Sequence, residues 1–140
     1  MTVDSIQDGI VIDHISAGRG MKIYELLGLN AAGVPVAMMM NVASGKLGRK
    51  DIIKIDGVIP LNLDVIGYVD PGATVNVIRG GKLAEKKNID MPERLENVIR
   101  CKNPRCVSTT EQELPQVFLL TDRAQKEYRC AWCETKAAGI

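Results

Sequence analysis

Aromatic residues are scarce in this chain: one Trp, one Phe and three Tyr among 140 residues. A core must then be built from Val, Ile, Leu and Met, and a surface that stacks nucleic-acid bases on aromatic rings is not expected. Long apolar runs are also missing. None approaches the ~18 residues of a membrane span, so the sequence reads as that of a soluble protein. Charge of one sign is lacking too: residues 1–90 carry ten Lys plus Arg against ten Asp plus Glu, and residues 91–140 carry eight against seven. Neither part has the field of a nucleic-acid binder. The opening Met1-Thr-Val-Asp4 lacks a basic and apolar leader, which points to a cytoplasmic protein with reduced cysteines.

Catalytic equipment is equally thin. There is a single histidine, His14, beside Asp13. Neighbours on a strand point to opposite faces, so the two form no dyad unless the strand bends there. Gly45-Lys-Leu-Gly48 falls short of a phosphate loop, which needs a further Gly-Lys-Ser/Thr.

The cysteines, by contrast, are concentrated. All four lie in the last third, as Cys101-Lys-Asn-Pro-Arg-Cys106 and Cys130-Ala-Trp-Cys133. Two tight pairs on turns can set four sulfurs at the corners of a tetrahedron, an arrangement that suits one structural Zn²⁺. Asn103 and Pro104 supply the first turn, and Val117 to Leu120 lie in a stretch long enough for a hairpin back to the metal. A redox pair would explain Cys130 and Cys133 and leave Cys101 and Cys106 idle. A catalytic zinc would need an open position, which four thiolates do not leave. The final ~50 residues are too few to fold alone, so the ion is expected to hold them together.

Upstream, β-branched runs alternate with helical spacing. Ile10 to Ile15, Val36 to Val42, Asp51 to Ile55 and Ala73 to Ile78 read as strands, with Lys82 to Lys86 a possible edge piece. Met21 to Leu27, ending at Gly28, and Asn62 to Tyr68 read as helices. The order β-α-β-β-α-β predicts an α+β chain: a split βαβ, ferredoxin-like domain over residues 1–92, then a small all-β zinc domain over 93–140. Met91 to Val98 reads as a linker or a turn of helix. With both helices on one sheet face, the other face is expected to expose Val, Ile and Met and so to require self-association or a partner.

Two basic clusters remain, Lys46, Arg49, Lys50 and Lys54, and Arg79, Lys82, Lys86 and Lys87. They read either as solvated strand edges or as a phosphate site in which Lys54, Lys86 and His14 converge on a nucleotide. In the second case Asp13 meets the ribose, and backbone near Ile6 and Gly81 reads the base. A different class of function, a zinc ribbon that binds nucleic acid or a transcription complex, would draw on Arg100, Lys102, Arg105, Arg123, Lys126 and Arg129. Near-neutral charge and few aromatics count against it.

The segments Gly9-Ile-Val-Ile-Asp-His-Ile15, Ser44 to Ile55, Ala73-Thr-Val-Asn76 and Pro92 to Val98, with the cysteine quartet, together resemble the regulatory chain of aspartate carbamoyltransferase. The resemblance runs over nearly the whole sequence. It implies a subunit without catalysis of its own, binding nucleoside triphosphates such as CTP and ATP and passing allosteric control of pyrimidine biosynthesis to catalytic chains. It also implies a regulatory dimer formed through the sheet and a zinc domain docked on the catalytic chain. By position it assigns Ile6, Asp13 and Lys54 to base and ribose, and His14 and Lys86 to phosphates. Val11, Met38, Asn76, Ile78 and Leu83 would line the pocket, and Cys101, Cys106, Cys130 and Cys133 would hold zinc. Gly81 stands where that family has an aromatic residue, Asn88 where it has an arginine, and the second-helix segment is shorter.

Overall fold

The computed structural model describes residues 6–46 and 48–138. The chain divides into two compact units, Met1–Asp90 and Met91–Ile140.

The first unit is a five-stranded sheet in the order β2-β3-β1-β4-β5, every neighbouring pair antiparallel. Its strands are β1 (Gly9–Ser16), β2 (Val36–Ser44), β3 (Gly48–Ile55), β4 (Thr74–Arg79) and β5 (Lys82–Asn88). Two seven-residue helices, α1 (Gly20–Leu26) and α2 (Leu63–Val69), follow β1 and β3. This is the expected split βαβ order, with the Lys82 segment a full fifth strand. One face of the sheet presents Ile10, Ile12, Ile15, Ile53, Ile55 and Val75, which pack with Ile23, Ile66 and Val69 of the helices. Because strand side chains alternate, the residues between these positions face the other way.

That second face carries polar and charged side chains among its apolar ones. Lys54, Asp13, Asn76 and Lys86 occupy it, and the exposed large apolar side chains of the sheet, Met40 and Leu83, lie on its two edge strands. Alternation hands most of the isoleucines to the helices, while Ile52 of β3, paired with Met39 of β2, shares the second face with these polar groups.

Helix α1 has no capping side chain of its own. The Asp51 carboxylate of β3, fully buried, fills that role: it accepts from Gly18 N at 3.1 Å and Gly20 N at 3.0 Å, and its other oxygen from Asn41 N at 3.1 Å. A Cβ on Gly20 would stand 2.9 Å from Asp51 Oδ2, so this close approach requires glycine. Helix α2 is capped locally, with Asn62 Oδ1 accepting from Asp64 N.

The second unit has a three-stranded antiparallel sheet, β6 (Arg94–Glu96), β7 (Val117–Asp122) and β8 (Glu127–Cys130), with one helical turn, α3 (Val107–Thr110). The segment expected as a linker or helical turn is thus partly a strand: Leu95 pairs with Phe118 and is fully buried. Its core is small, chiefly Leu95, Val117, Phe118 and Tyr128. Among the described residues no helix is long and apolar enough to cross a membrane.

Candidate functional site

The four cysteine sulfurs come together within 4.8 Å of one another, and all four are free thiols. Cys101 and Cys133 lie 3.6 Å apart and Cys106 and Cys130 3.7 Å apart. A tetrahedron with metal–sulfur bonds of ~2.3 Å has edges of about 3.8 Å, so the donors fit a tetrahedral ion and are too far apart for disulfides.

Each sulfur is placed by local structure. Asn103 makes the expected turn, accepting from Arg105 N through its side chain at 3.0 Å and from Cys106 N through its carbonyl at 3.1 Å. Cys130 ends β8, and its carbonyl accepts from Glu134 N at 2.8 Å. Gln116, which nothing in the spacing singled out, braces the site from below. Its Oε1 accepts from Cys101 N at 2.8 Å, and its Nε2 donates to Ser108 O at 2.8 Å. Burial and the adjoining sulfurs push the Cys101 thiol up to about 12, while hydrogen bonding with the Thr135 hydroxyl and backbone draws Cys133 down to about 6. A cation among the sulfurs favours the thiolate form of all four.

The residues expected to hold a nucleotide are mostly brought to one face of the first sheet. Lys54 pairs with Val11, Val11 with Asn76, and Asn76 with Lys86, a single row across β3, β1, β4 and β5. Adjacent strands are about 4.8 Å apart, so the two lysines are rooted some 14 Å from each other. Between them the Asn76 Oδ1 atom is buried with no hydrogen-bond partner among the described residues.

One step along the strands lies an apolar end. Ile78 pairs with both Gly9 and Leu83. The Ile6 side chain sits over Gly9, its Cγ2 2.6 Å from where a Gly9 Cβ would be. Gly81 closes this end, with φ +75° and its N–H donating to Gln7 O at 2.9 Å.

The opposite end is ionic. β1 does bend between Ile12 and Ile15: the register slips, His14 takes φ 57°, and both isoleucines stay buried. The bulge therefore turns Asp13 and His14 together onto the face away from the helices, against the strict alternation expected of a regular strand. They form no dyad through their side chains. Asp13 Oδ1 accepts from His14 N at 2.6 Å and pairs with Lys50 Nζ at 2.9 Å, and His14 Nδ1 lies 3.2 Å from Thr74 Oγ1. Partial burial opposes ionisation of Asp13, but Lys50 and the His14 N–H outweigh it and hold the carboxyl below its usual range.

Met38 does not join this face. It pairs with Ile53, whose side chain is fully buried, and packs against the helix-side core. Lys50, noted only as one of a basic cluster, is by contrast at the centre of the ionic end. Its alternation with Lys54 along β3 was the available signal.

Of the basic residues that supported a nucleic-acid reading of the second unit, Arg129 is committed to Glu127 at 3.1 Å and to Glu134 O at 3.0 Å. Arg123 donates to Met91 O at 3.3 Å.

Comparison with known proteins agrees over both units. Residues 1–90 match the family model described as aspartate carbamoyltransferase regulatory chain, allosteric domain, and residues 93–139 match the metal binding domain of the same chain. The chain is 46% identical over 139 residues to the aspartate carbamoyltransferase regulatory chain of Clostridium botulinum, covering 99% of this chain and 95% of that one. It is 48% identical over 135 residues to that of Clostridium tetani, covering 96% and 94%. For Bifidobacterium longum the identity is 47% over 137 residues, covering 98% and 99%. A chain of this kind is a non-catalytic subunit, with its allosteric part in the five-stranded unit and its metal site in the cysteine unit. The protein belongs to the family of aspartate carbamoyltransferase regulatory chains.

Proposed function

We propose that this chain senses nucleoside triphosphates, CTP and ATP, on behalf of cytoplasmic catalytic chains of aspartate carbamoyltransferase, and so passes allosteric control of pyrimidine biosynthesis to them. The observation that carries this reading is the cross-strand row Lys54–Val11–Asn76–Lys86, flanked along the strands by the apolar group around Ile78 and Gly9 on one side and by the ionic group around Asp13 and Lys50 on the other. A nucleotide has the same sequence of chemistry along its length. The base lies against Ile6, Ile78 and Leu83, the ribose meets Lys54 and Asp13, and the phosphates meet Lys86 and His14. Lysine serves phosphate as a compact charge without bidentate geometry. The unpaired Asn76 oxygen supports a ligand here, since a buried acceptor left alone costs about 1–3 kcal/mol.

Zn²⁺ is the ion that the four-cysteine set would hold, and its contribution is structural: it ties the two ends of a unit whose own core is small. That unit docks on the catalytic chain, and β2, an open sheet edge with Met40 exposed, pairs two regulatory chains. Control requires the nucleotide to bind one quaternary state of the assembly better than the other, because equal affinity shifts no population. A coupling of ~1–3 kcal/mol would change substrate affinity about five- to 150-fold.

Calorimetric titration of CTP into the full chain tests the pocket. Lys54→Ala and Lys86→Ala should each weaken binding roughly tenfold, as expected for loss of one charged hydrogen bond. Undiminished affinity in both variants would remove the pocket from this face.

A further inference from the structure

We infer that Gln7 is a specificity-determining residue of the nucleotide site, supplying the donor that lets the site accept a keto base, uracil, alongside an amino base, cytosine. The inference rests on the nucleotide reading above and concerns which base is read.

The turn between β4 and β5 is Gly80-Gly81, with φ +58° and +75°, the two-residue hairpin geometry that disfavours side chains. It is fastened to the start of β1 at two points: Gly80 N donates to Asp8 Oδ1 at 3.1 Å, and Gly81 N donates to Gln7 O at 2.9 Å. The second bond uses the Gly81 N–H. What the turn's second residue can still offer a base is its carbonyl, an acceptor. An acceptor at this point favours an amino-bearing base.

The Gln7 side chain changes that balance. Its Oε1 stands 3.0 Å, and its Nε2 3.6 Å, from the point where a Cβ on residue 81 would be. The amide therefore fills the room that any other residue at 81 would occupy, beside Ile6 and at the apolar end where the base lies. Gln7 is exposed, so the amide is free to turn. Glutamine carries both two N–H donors and a carbonyl acceptor. Turned one way, its NH₂ donates to uracil O4. Turned the other way, its oxygen accepts from the cytosine amino group.

The backbone bond from Gly81 to Gln7 does not depend on the side chain, so substitution at Gln7 leaves the turn in place. In calorimetric titrations of the full chain, wild type should bind CTP and UTP with affinities within about fivefold of each other. Gln7→Ala and Gln7→Glu, which both lack the donor, should weaken UTP about five- to tenfold while CTP changes less than about threefold, one neutral hydrogen bond being lost. Gln7→Asn, keeping a shorter amide, should fall between. Equal weakening of both nucleotides would reduce Gln7 to a packing residue and overturn the inference, as would an unchanged CTP-to-UTP ratio. Lys54→Ala, run alongside, separates the two levels: if wild-type binding is insensitive to Lys54 the nucleotide site itself fails, whereas Lys54-dependent binding with a fixed ratio defeats only the role of Gln7.

Discussion

The two units hold their candidate site residues in place by opposite means. In the five-stranded unit the framework comes first. Some ten buried Ile and Val side chains fix the sheet, and Lys54, Val11, Asn76 and Lys86 line up because backbone pairing aligns their strands. In the cysteine unit a three-stranded sheet carries four principal core side chains, and the sulfurs themselves close the structure. A site laid on a finished sheet tolerates loss of its ligand. A site that finishes the fold does not.

The largest expected effect follows from that contrast. Cys106→Ala, or removal of the metal by chelator, should unfold residues from about 91 onward, since structural zinc contributes on the order of 10 kcal/mol. Resonances of the second unit should collapse in a nitrogen–proton correlation spectrum, and assembly with catalytic chains should be lost. Retention of a folded second unit without metal would erase the difference between the halves.

Next in size is Asp51→Ala, the closest thing in the first unit to a structural centre. It would strand three backbone N–H groups, at Gly18, Gly20 and Asn41, and should cost roughly 3–5 kcal/mol in urea unfolding. The second unit should keep its metal. A cost below about 1 kcal/mol would mean that the carboxylate does not organise the start of α1 and the edge of β2.

Gln116→Ala sharpens the comparison from the other side. Losing its bonds to Cys101 N and Ser108 O should destabilise the second unit by roughly 1–3 kcal/mol and weaken metal retention in a chelator competition, with no change in the first unit.

The smallest effect is a pH dependence confined to the sheet. Asp13 is held below its ordinary value in the folded chain, so its ion pair with Lys50 contributes stability above the unfolded carboxyl range, near pH 4, and loses it as pH falls through the folded value. Asp13→Asn should flatten the acid limb of first-unit stability slightly, the pair being partly exposed. Carboxyl titration of Asp13 by NMR at or above the ordinary range would contradict the pairing.

What could be read in the sequence was what local spacing determines. Four cysteines in two short pairs announce a tetrahedral set because each pair is closed by its own turn. Strand runs such as Ile10 to Ile15 announce themselves through β-branching. Features that depend on distant partners stayed hidden. Asp51, in a stretch of alternating lysines, looks solvated until β3 is seen against α1. Met38 was assigned to the pocket, yet its face is set by pairing with Ile53 and by the register shift that follows Met39. The bulge at Asp13-His14 inverts the parity that the sequence implies, and the register slip, the positive φ of His14 and the burial of both Ile12 and Ile15 reveal it. Leu95 was read as part of a connection because its strand is three residues long, too short for an alternation pattern to show.

The most direct test of this division is a CTP titration of the full chain after its metal has been stripped and its thiols kept reduced. The account predicts an affinity within about twofold of the metal-loaded chain, still weakened roughly tenfold by Lys54→Ala, while the second unit is unfolded in the same sample. Loss of CTP binding on metal removal would contradict it, because the nucleotide slot would then depend on the sulfur-built unit and the sheet would not be a framework complete in itself.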